Sequence, residues 1–354
     1  MTRRLDPTAP VDVLTQQLCD IESVSGEERE IADEIEAVLR AVPHLTVDRD
    51  GDAVIARTML GRDRRVLIAG HIDTVPINRN LPVVRDETTL HGRGTADMKG
   101  GVAVQLALAV ALAEPVVDVT WIFYDHEEVG AALNGLGRVA SRRPDLLAGD
   151  FAVLCEPTNA QVEGGCNGTA RIVLRFDGVR AHSARPWKGR NAIHAMAASL
   201  ATLAAYVPEE IEVDGLVYRE SLSAVGIGGG VAGNVVPDHA ELSINYRFAP
   251  SRSGEEAIAK LRELFPEGEL TVEDLAEGAR PGLDAQLAQD FLAAVDAEAS
   301  PKYGWTDVAR FSALGIPAVN YGPGDPMRAH TDDECVPIAD LFACEAGLRA
   351  WLTR

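Results

Sequence analysis

The sequence is short of basic residues, and this shortage limits its partners. Lysine and arginine number 33 against 54 acidic residues, which leaves a net charge of −21 at pH 7. Such a field repels polyanions, so nucleic acid and anionic membranes are excluded as main partners. A small anionic substrate would need local positive charge from metal ions and a few well-placed arginines.

Paired cysteines are also lacking. The five cysteines, at 19, 155, 166, 335 and 344, are odd in number and contain no CxxC spacing. This pattern indicates neither a disulfide framework nor a thiolate zinc site. We expect reduced, buried cysteines, including the two that flank the Glu156 region.

Long apolar runs and repeats are missing as well. No segment is long and apolar enough for a signal peptide or a membrane span, so a cytoplasmic location is expected. What is present is ordinary for a globular protein, with 46% hydrophobic and 25% charged residues. A length of 354 residues fits about two domains.

The spacing of apolar residues predicts alternating helices and strands in the first part of the chain. The predicted strands lie at 52–58, 65–70, 117–124 and 150–155, and the predicted helices near 11–22, 27–41, 99–113 and 131–143. The second helix follows Ser25-Gly26-Glu27-Glu28, which resembles a capping motif. This alternation predicts an α/β fold with a central, mostly parallel sheet.

The pattern changes near residue 168. The following strands and helices are predicted in the order β-α-β-β-α-β, near 171–183, 191–206, 223–231, 239–248, 253–264 and 269–275. This order predicts a ferredoxin-like α+β insert. The α/β pattern then resumes with elements near 284–298, 318–321 and 338–352. We therefore predict a discontinuous domain made of residues 1–167 and 279–354, interrupted by an insert at 168–278.

Side chains that bind metals follow three of the predicted strands. His71 follows the strand at 65–70, the pair Glu127-Glu128 follows the strand at 117–124, and Glu156 follows the strand at 150–155. If these strands are parallel, their carboxyl ends place the four residues along one edge of the sheet, where open α/β sheets bind ligands.

Two further segments add potential ligands. Asp97 lies in GRGTADMKGG just before a predicted helix, where it can be the N-cap, a carboxylate that bridges two cations, or both. His330 near the end of the chain is weak alone, because a lone histidine there is usually a surface residue. Together, two imidazoles and several carboxylates suit a pair of Zn²⁺ ions. The sequence therefore predicts a hydrolase.

Two carboxylates are predicted to support these ligands. Asp73, two residues after His71, is placed to fix the tautomer of that imidazole. In the pair Glu127-Glu128, one carboxylate can reach a metal while the other takes a proton from water, although a solvated acidic turn is the alternative. His126 directly precedes the pair, and its role stays open.

Taken together, these segments resemble the dinuclear zinc aminoacylase and carboxypeptidase family. The resemblance covers essentially the whole chain and rests on GHIDTVP, GRGTADMKGG, the Glu-Glu pair, CEPT, AHSARP, GNVVPD and the late histidine. It implies a zinc-hydrolase domain with two Zn²⁺ ions per subunit, one of them replaceable by Co²⁺. It also implies that the insert is a lid through which two subunits form a homodimer.

The resemblance implies a role for each matching residue. His71 and Glu156 would bind one zinc ion, Glu128 and His330 would bind the other, and Asp97 would bridge both.

Further roles follow from the same resemblance. Asp73 would support His71, Glu127 would be the general base, and His182 would reach from the insert of a partner subunit toward the developing oxyanion. Substrate would be held by Asn234, Arg247, Thr169, Thr306 and Arg310. Without the resemblance, a salt bridge at a strand end is an equally good explanation of Arg247.

The stretch KYGWTDVARFSALGIPAVNYGPGDP resembles family members that act on N-succinyl-LL-2,6-diaminopimelate. The implied reaction is hydrolysis of this small anionic amide to succinate and LL-2,6-diaminopimelate, a step in the synthesis of lysine and cell-wall precursors. Deacetylation of acetylornithine or release of an amino acid from a peptide is the alternative within the family. A mononuclear zinc site and a non-catalytic binding protein also stay open.

Overall fold

The computed structural model describes residues 5–354, which form ten α-helices and seventeen β-strands. The helices are α1 (Val11–Cys19), α2 (Arg29–Arg40), α3 (Lys99–Ala111), α4 (Gly135–Arg142), α5 (Ala192–Ala195), α6 (Ala197–Ala205), α7 (Gly254–Leu264), α8 (Gln286–Val295), α9 (Val308–Ala313) and α10 (Ile338–Thr353). The strands are β1 (Thr46–Asp50), β2 (Ala53–Arg57), β3 (Arg65–His71), β4 (Val84–Arg85), β5 (Thr89–His91), β6 (Asp118–Tyr124), β7 (Phe151–Leu154), β8 (Val162–Gly164), β9 (Gly168–Asp177), β10 (Glu210–Val213), β11 (Leu216–Arg219), β12 (Ser221–Gly229), β13 (His239–Phe248), β14 (Glu269–Ala276), β15 (Ala299–Pro301), β16 (Ala318–Asn320) and β17 (Cys335–Pro337). None of the helices in this range is long and apolar enough to cross a membrane.

The chain divides into two compact units. Unit 1 comprises Met1–Gly164, Gly282–Ser300 and Arg310–Arg354, and unit 2 comprises Gly165–Pro281 and Pro301–Ala309. The sequence places the insert at 168–278 and does not assign the segment at 301–309 to it.

Unit 1 is built around an eight-stranded sheet. Its strand order is β1-β2-β6-β3-β7-β16-β8-β15. The four central strands, β6, β3, β7 and β16, run parallel, whereas β1, β2 and β8 pair antiparallel at the flanks. The central strands β3 and β6 are mostly apolar and almost fully buried, as expected for parallel strands covered on both faces. The predicted α/β class with a parallel centre is confirmed.

Helix α3 lies in the core of unit 1. Its sequence, KGGVAVQLALAVA, is apolar all round, and almost every residue is buried. A Cβ atom at Gly101 would lie 2.2 Å from the carbonyl oxygen of Cys155, so only glycine permits this close approach. The approach places the start of α3 beside the chain that leaves β7.

Unit 2 contains a four-stranded antiparallel sheet in the order β12-β13-β9-β14. Buried and less buried residues alternate along β13, so one face of the sheet meets the helices and the core. Together with α5, α6 and α7, this order is the ferredoxin-like arrangement that the sequence predicts. The single helix predicted at 191–206 is wrong in detail, because Met196 separates α5 from α6.

Candidate metal centre

Three neighbouring strands of unit 1 deliver site residues to one edge of the sheet. His71, the last residue of β3, lies opposite Tyr124, the last residue of β6, in parallel register. Leu154 at the end of β7 pairs with Ala69 of β3. The prediction that these strands are parallel is confirmed, and the residues that follow them leave the sheet at the same edge.

Asp97 reaches this edge from the segment that precedes α3. The N-cap position of α3 is Met98, and no side chain caps the helix, so the capping interpretation of Asp97 is wrong. Its two oxygens instead contact two different imidazoles. Oδ1 lies 3.1 Å from Nε2 of His71, and Oδ2 lies 3.2 Å from Nε2 of His330.

The potential ligands form three overlapping groups. In each group the donor atoms lie within 4.8 Å of one another, and the groups are His71, Asp97 and Glu156; His71, Glu127 and Glu128; and Asp97, Glu128 and His330. Asp97 belongs to a group with Glu156 and to another with His330. A carboxylate shared in this way can hold two cations side by side.

The chemistry of the donors fits divalent zinc. Imidazole nitrogens and carboxylate oxygens are ligands that Zn²⁺ accepts, and a mixed nitrogen and oxygen set is usual where the metal is catalytic. Cys155, the neighbour of Glu156, is buried, and burial raises the pKa of its thiol. It therefore stays protonated and is unsuited to metal binding.

The imidazoles and carboxylates strongly affect one another's protonation. The hydrogen bond with Asp97, reinforced by Glu128, raises the pKa of His330 to about 10. Burial disfavours the charged form of Asp97, but hydrogen bonds with His330 and His71 outweigh burial and lower its pKa well below the usual value. A cation that binds here must replace these protons.

Asp73 supports both sides of the site. Nδ1 of His71 lies 3.0 Å from the backbone oxygen of Asp73 and 3.5 Å from its Oδ1, which leaves Nε2 directed to Asp97. The carboxylate of Asp73 accepts the backbone N–H groups of Glu127 at 3.0 Å and Glu128 at 3.1 Å. Burial opposes ionisation of Asp73, but the hydrogen bond and charge of His71, together with bonds from Ser25 and the N–H of Glu127, lower its pKa to about 2.

A buried ion pair behind the site has no counterpart in the sequence analysis. Glu334, four residues after His330, accepts a hydrogen bond from Nη1 of Arg93 at 2.6 Å. Its other oxygen accepts the backbone N–H groups of Ala96 and Asp97, both at 3.1 Å. One carboxylate thus ties the Asp97 segment to the His330 segment. The only sequence signal is an acidic residue directly before the apolar run CVPI.

In unit 2, His182 and Asn234 lie on adjacent segments. The backbones of His182 and Val235 form an antiparallel bridge, and the N–H of Ser183 donates to the oxygen of Asn234 at 2.9 Å. The exposed imidazole of His182 accepts the N–H of Ala184 at Nδ1. In the neutral ring the proton therefore lies on Nε2, which is free to donate.

Arg247 and Thr169 occupy paired positions on β13 and β9. Burial lowers the pKa of the Arg247 guanidinium, and no residue within 5–354 forms a hydrogen bond or ion pair with it. The salt-bridge interpretation of Arg247 is therefore wrong. Thr306, also in unit 2, is buried, and its carbonyl oxygen receives a contact from Sγ of Cys166 at 3.7 Å.

Arg310 belongs to unit 1. It lines a cavity of about 510 Å³ together with His126 and Asn134. Its Nη1 lies so close to Gly137 that a Cβ atom there would be 2.8 Å away.

Unit 1 thus brings together all seven residues predicted for the metal site and its immediate support: His71, Asp73, Asp97, Glu127, Glu128, Glu156 and His330. The other predicted residues are divided between Arg310 in unit 1 and His182, Asn234, Arg247, Thr169 and Thr306 in unit 2. The individual roles stay predictions.

Comparison with known proteins identifies close relatives. The sequence pattern of "Peptidase family M20/M25/M40" matches residues 67–354. A Mycobacterium tuberculosis protein named "Putative succinyl-diaminopimelate desuccinylase DapE" is 52% identical over 342 residues, covering 96% of this chain and 97% of that protein. The succinyl-diaminopimelate desuccinylase of Corynebacterium glutamicum is 47% identical over 352 residues, covering 96% and 95% of the two chains. Among solved structures, a tripeptidase from Staphylococcus aureus has a TM-score of 0.81 at 20% identity, with 99% of this chain and 98% of that chain covered, which supports the fold.

Proposed function

Because this chain belongs to peptidase family M20/M25/M40, we propose that it is a metal-dependent amide hydrolase that cleaves N-succinyl-LL-2,6-diaminopimelate to succinate and LL-2,6-diaminopimelate. The membership confirms the family resemblance drawn from the sequence. The substrate comes from the two relatives that share about half of their residues with this chain over nearly its full length.

One observation carries the proposal. Asp97 belongs to two groups of potential ligands, and its two oxygens contact the imidazoles of His71 and His330 separately. Here three carboxylates and two imidazoles from five segments of the chain meet at the end of a parallel sheet, where open α/β sheets bind ligands.

The proposed cofactor is a pair of Zn²⁺ ions, with Co²⁺ able to replace one of them. His71 and Glu156 would hold the first ion, and Glu128 and His330 would hold the second. Asp97 would bind both ions. When bound, such ions make water acidic and polarise a carbonyl oxygen.

Glu127 is the proposed general base. Its backbone N–H is fixed by Asp73, and its side chain belongs to the same group of potential ligands as His71 and Glu128. From this position the carboxylate takes the proton of the attacking water. It then returns that proton to the nitrogen of the departing amine, so one group serves first as base and later as acid.

Unit 2 is proposed to contribute the substrate contacts and the subunit interface. The Arg247 guanidinium, which lacks an ion pair in the described chain, suits a substrate carboxylate, and Asn234, Thr169 and Thr306 are proposed to help, together with Arg310 of unit 1. His182, with Nε2 free to donate, would stabilise the oxyanion in a homodimer. The edge strand β12 exposes Val225 and Ile227, at 60% and 64%, which supports an interface there.

A substrate panel on protein of measured metal content tests the proposal. We expect kcat/KM for N-succinyl-LL-2,6-diaminopimelate to exceed that for N-acetylornithine and for dipeptides by at least about 100-fold. A preference for the acetyl or peptide substrate overturns the assigned reaction. Light scattering in solution tests the homodimer, and a cytoplasmic location stays a prediction of the sequence.

A further inference from the structure

The segment predicted as the cap of α2 has other partners. Helix α2 begins at Arg29, its N-cap position is Glu28, and no side chain caps it. The capping interpretation of Ser25 and Glu28 is therefore wrong. Both polar side chains instead contact residues next to the proposed general base.

Ser25 acts on Asp73. Its hydroxyl donates to Oδ2 of Asp73 at 2.6 Å, and its backbone N–H donates to the oxygen of Thr74 at 3.1 Å. Oδ2 also accepts the N–H of Glu128, while Oδ1 accepts the N–H of Glu127. Ser25 therefore holds the carboxylate that aligns the backbone of the acidic pair.

Glu28 acts on His126, the residue immediately before Glu127. The Glu28 side chain is fully buried, and its Oε1 lies 3.2 Å from both the backbone nitrogen and Nδ1 of His126. Its Oε2 accepts the N–H of Gly26 at 2.9 Å. Asp125 completes the enclosure, with Oδ2 2.7 Å from Nδ1 of His126.

His126 adopts a backbone conformation that needs such support. Its φ is +57°, in the left-handed region that residues other than glycine seldom occupy. A residue in this region persists when its surroundings hold it there. Glu28 holds both the backbone and the ring, so it sets the direction in which the chain enters Glu127.

We propose that Ser25 and Glu28 are positioning residues that fix the carboxylate of Glu127 through two separate routes, one through Asp73 and one through His126. The inference rests on the proposed function of Glu127 as general base. Proton transfer needs the base within hydrogen-bond reach, and a misplacement of 1 Å lowers rates by about 100-fold. Neither residue belongs to the proposed metal ligands or substrate contacts, so we expect the effect to fall on turnover.

The test compares two neighbouring glutamates. Glu28→Gln keeps the size of the side chain but replaces one of its two acceptor oxygens with a donor. Glu27→Gln makes the same charge change one residue earlier, at an exposed side chain, and is the matched control. We expect Glu28→Gln to lower kcat per metal-loaded site by about 10-fold or more with KM changed less than about 2-fold, and Glu27→Gln to match wild type.

The second route is tested through the hydroxyl. Ser25→Ala removes the bond to Asp73 and is expected to lower kcat by about 3- to 10-fold, whereas Ser25→Thr keeps a hydroxyl and restores most of the rate. Because Ser25 is only half-buried, these variants stay informative if Glu28→Gln folds poorly.

The outcomes separate the inference from the proposed function. If the wild-type protein fails to turn over the N-succinyl substrate, the proposed function is refuted. If wild type is active and both Ser25→Ala and Glu28→Gln turn over like Glu27→Gln, the positioning role is overturned. A fall in melting temperature with unchanged kcat per metal-loaded site also overturns it, because the two residues would then only stabilise the fold.

Discussion

Replacing Glu334 by glutamine removes the charge that compensates Arg93 in the interior of unit 1. Arg93 is 3% exposed and Glu334 is 1% exposed. Nε of Arg93 has no hydrogen-bond partner among the described residues, so the guanidinium depends on Glu334. Burial raises the pKa of Glu334, which indicates how strongly this carboxylate is desolvated.

The expected loss in the free energy of unfolding follows from this geometry. Breaking a buried ion pair from one side costs about 3–5 kcal/mol, because the remaining charge is left without compensation. The bonds from the N–H groups of Ala96 and Asp97 add little to the loss, since the new amide keeps one acceptor oxygen. The double variant Arg93→Met/Glu334→Gln removes both charges, and its free energy of unfolding should lie within about 2 kcal/mol of that of wild type.

Urea unfolding of metal-free protein in chelator measures these values without the added stability of bound metal. Zinc content after dialysis is the second measurement, and we expect it to fall in Glu334→Gln because Asp97 and His330 are no longer tied together. A loss below about 1 kcal/mol in Glu334→Gln, or a double variant as unstable as the single one, would refute the argument from the buried pair.

Three further predictions concern the site itself. Glu127→Gln should keep the metal content of wild type and lower kcat by about 100- to 10,000-fold, and unchanged turnover removes Glu127 from its role. His182→Ala should lower kcat by about 100-fold at unchanged zinc content, whereas loss of zinc would make His182 a ligand. Metal affinity should fall as pH decreases, because the contact with Asp97 raises the pKa of His330 to about 10 and a cation must displace that proton. Calorimetry in buffers of different ionisation enthalpy should then report proton release, and its absence would contradict the assignment.

The central elements of the fold were predictable because their sequences are locally consistent. β3 and β6 are strands of seven residues that are mostly apolar and almost fully buried, whereas burial alternates along the ten residues of β13. Each pattern fits only one kind of environment, two-sided burial in the first case and one-sided burial in the second.

The hairpin of β10 and β11 was not predicted, although the sequence carries a signal for it. Asp214 and Gly215 join the two strands with φ values of +48° and +85°, as in a two-residue hairpin turn of the Asp-Gly type. The short strands β8 and β15, of three residues each, leave no periodicity to detect.

Within the site, residues that bear chemistry were predictable and residues that support them were not. His71, Glu128 and Glu156 stand at strand ends where a ligand is expected. Glu334 finds its partner 241 residues away in sequence, a contact that no local pattern encodes. The polar residues at 25 and 28 fit a local capping motif that the folded chain does not use, because tertiary partners compete successfully for them.

The insert also affects how unit 1 can assemble. Cys166 and Ala279 exchange two backbone hydrogen bonds, at 2.9 and 3.0 Å. This clasp joins the ends of a loop of roughly 110 residues, whose closure as free polymer would cost about 4 kcal/mol in entropy. If the insert folds first, its own contacts offset this entropy cost. The two ends of the insert then lie side by side, so the insertion hinders the pairing of the strands of unit 1 very little.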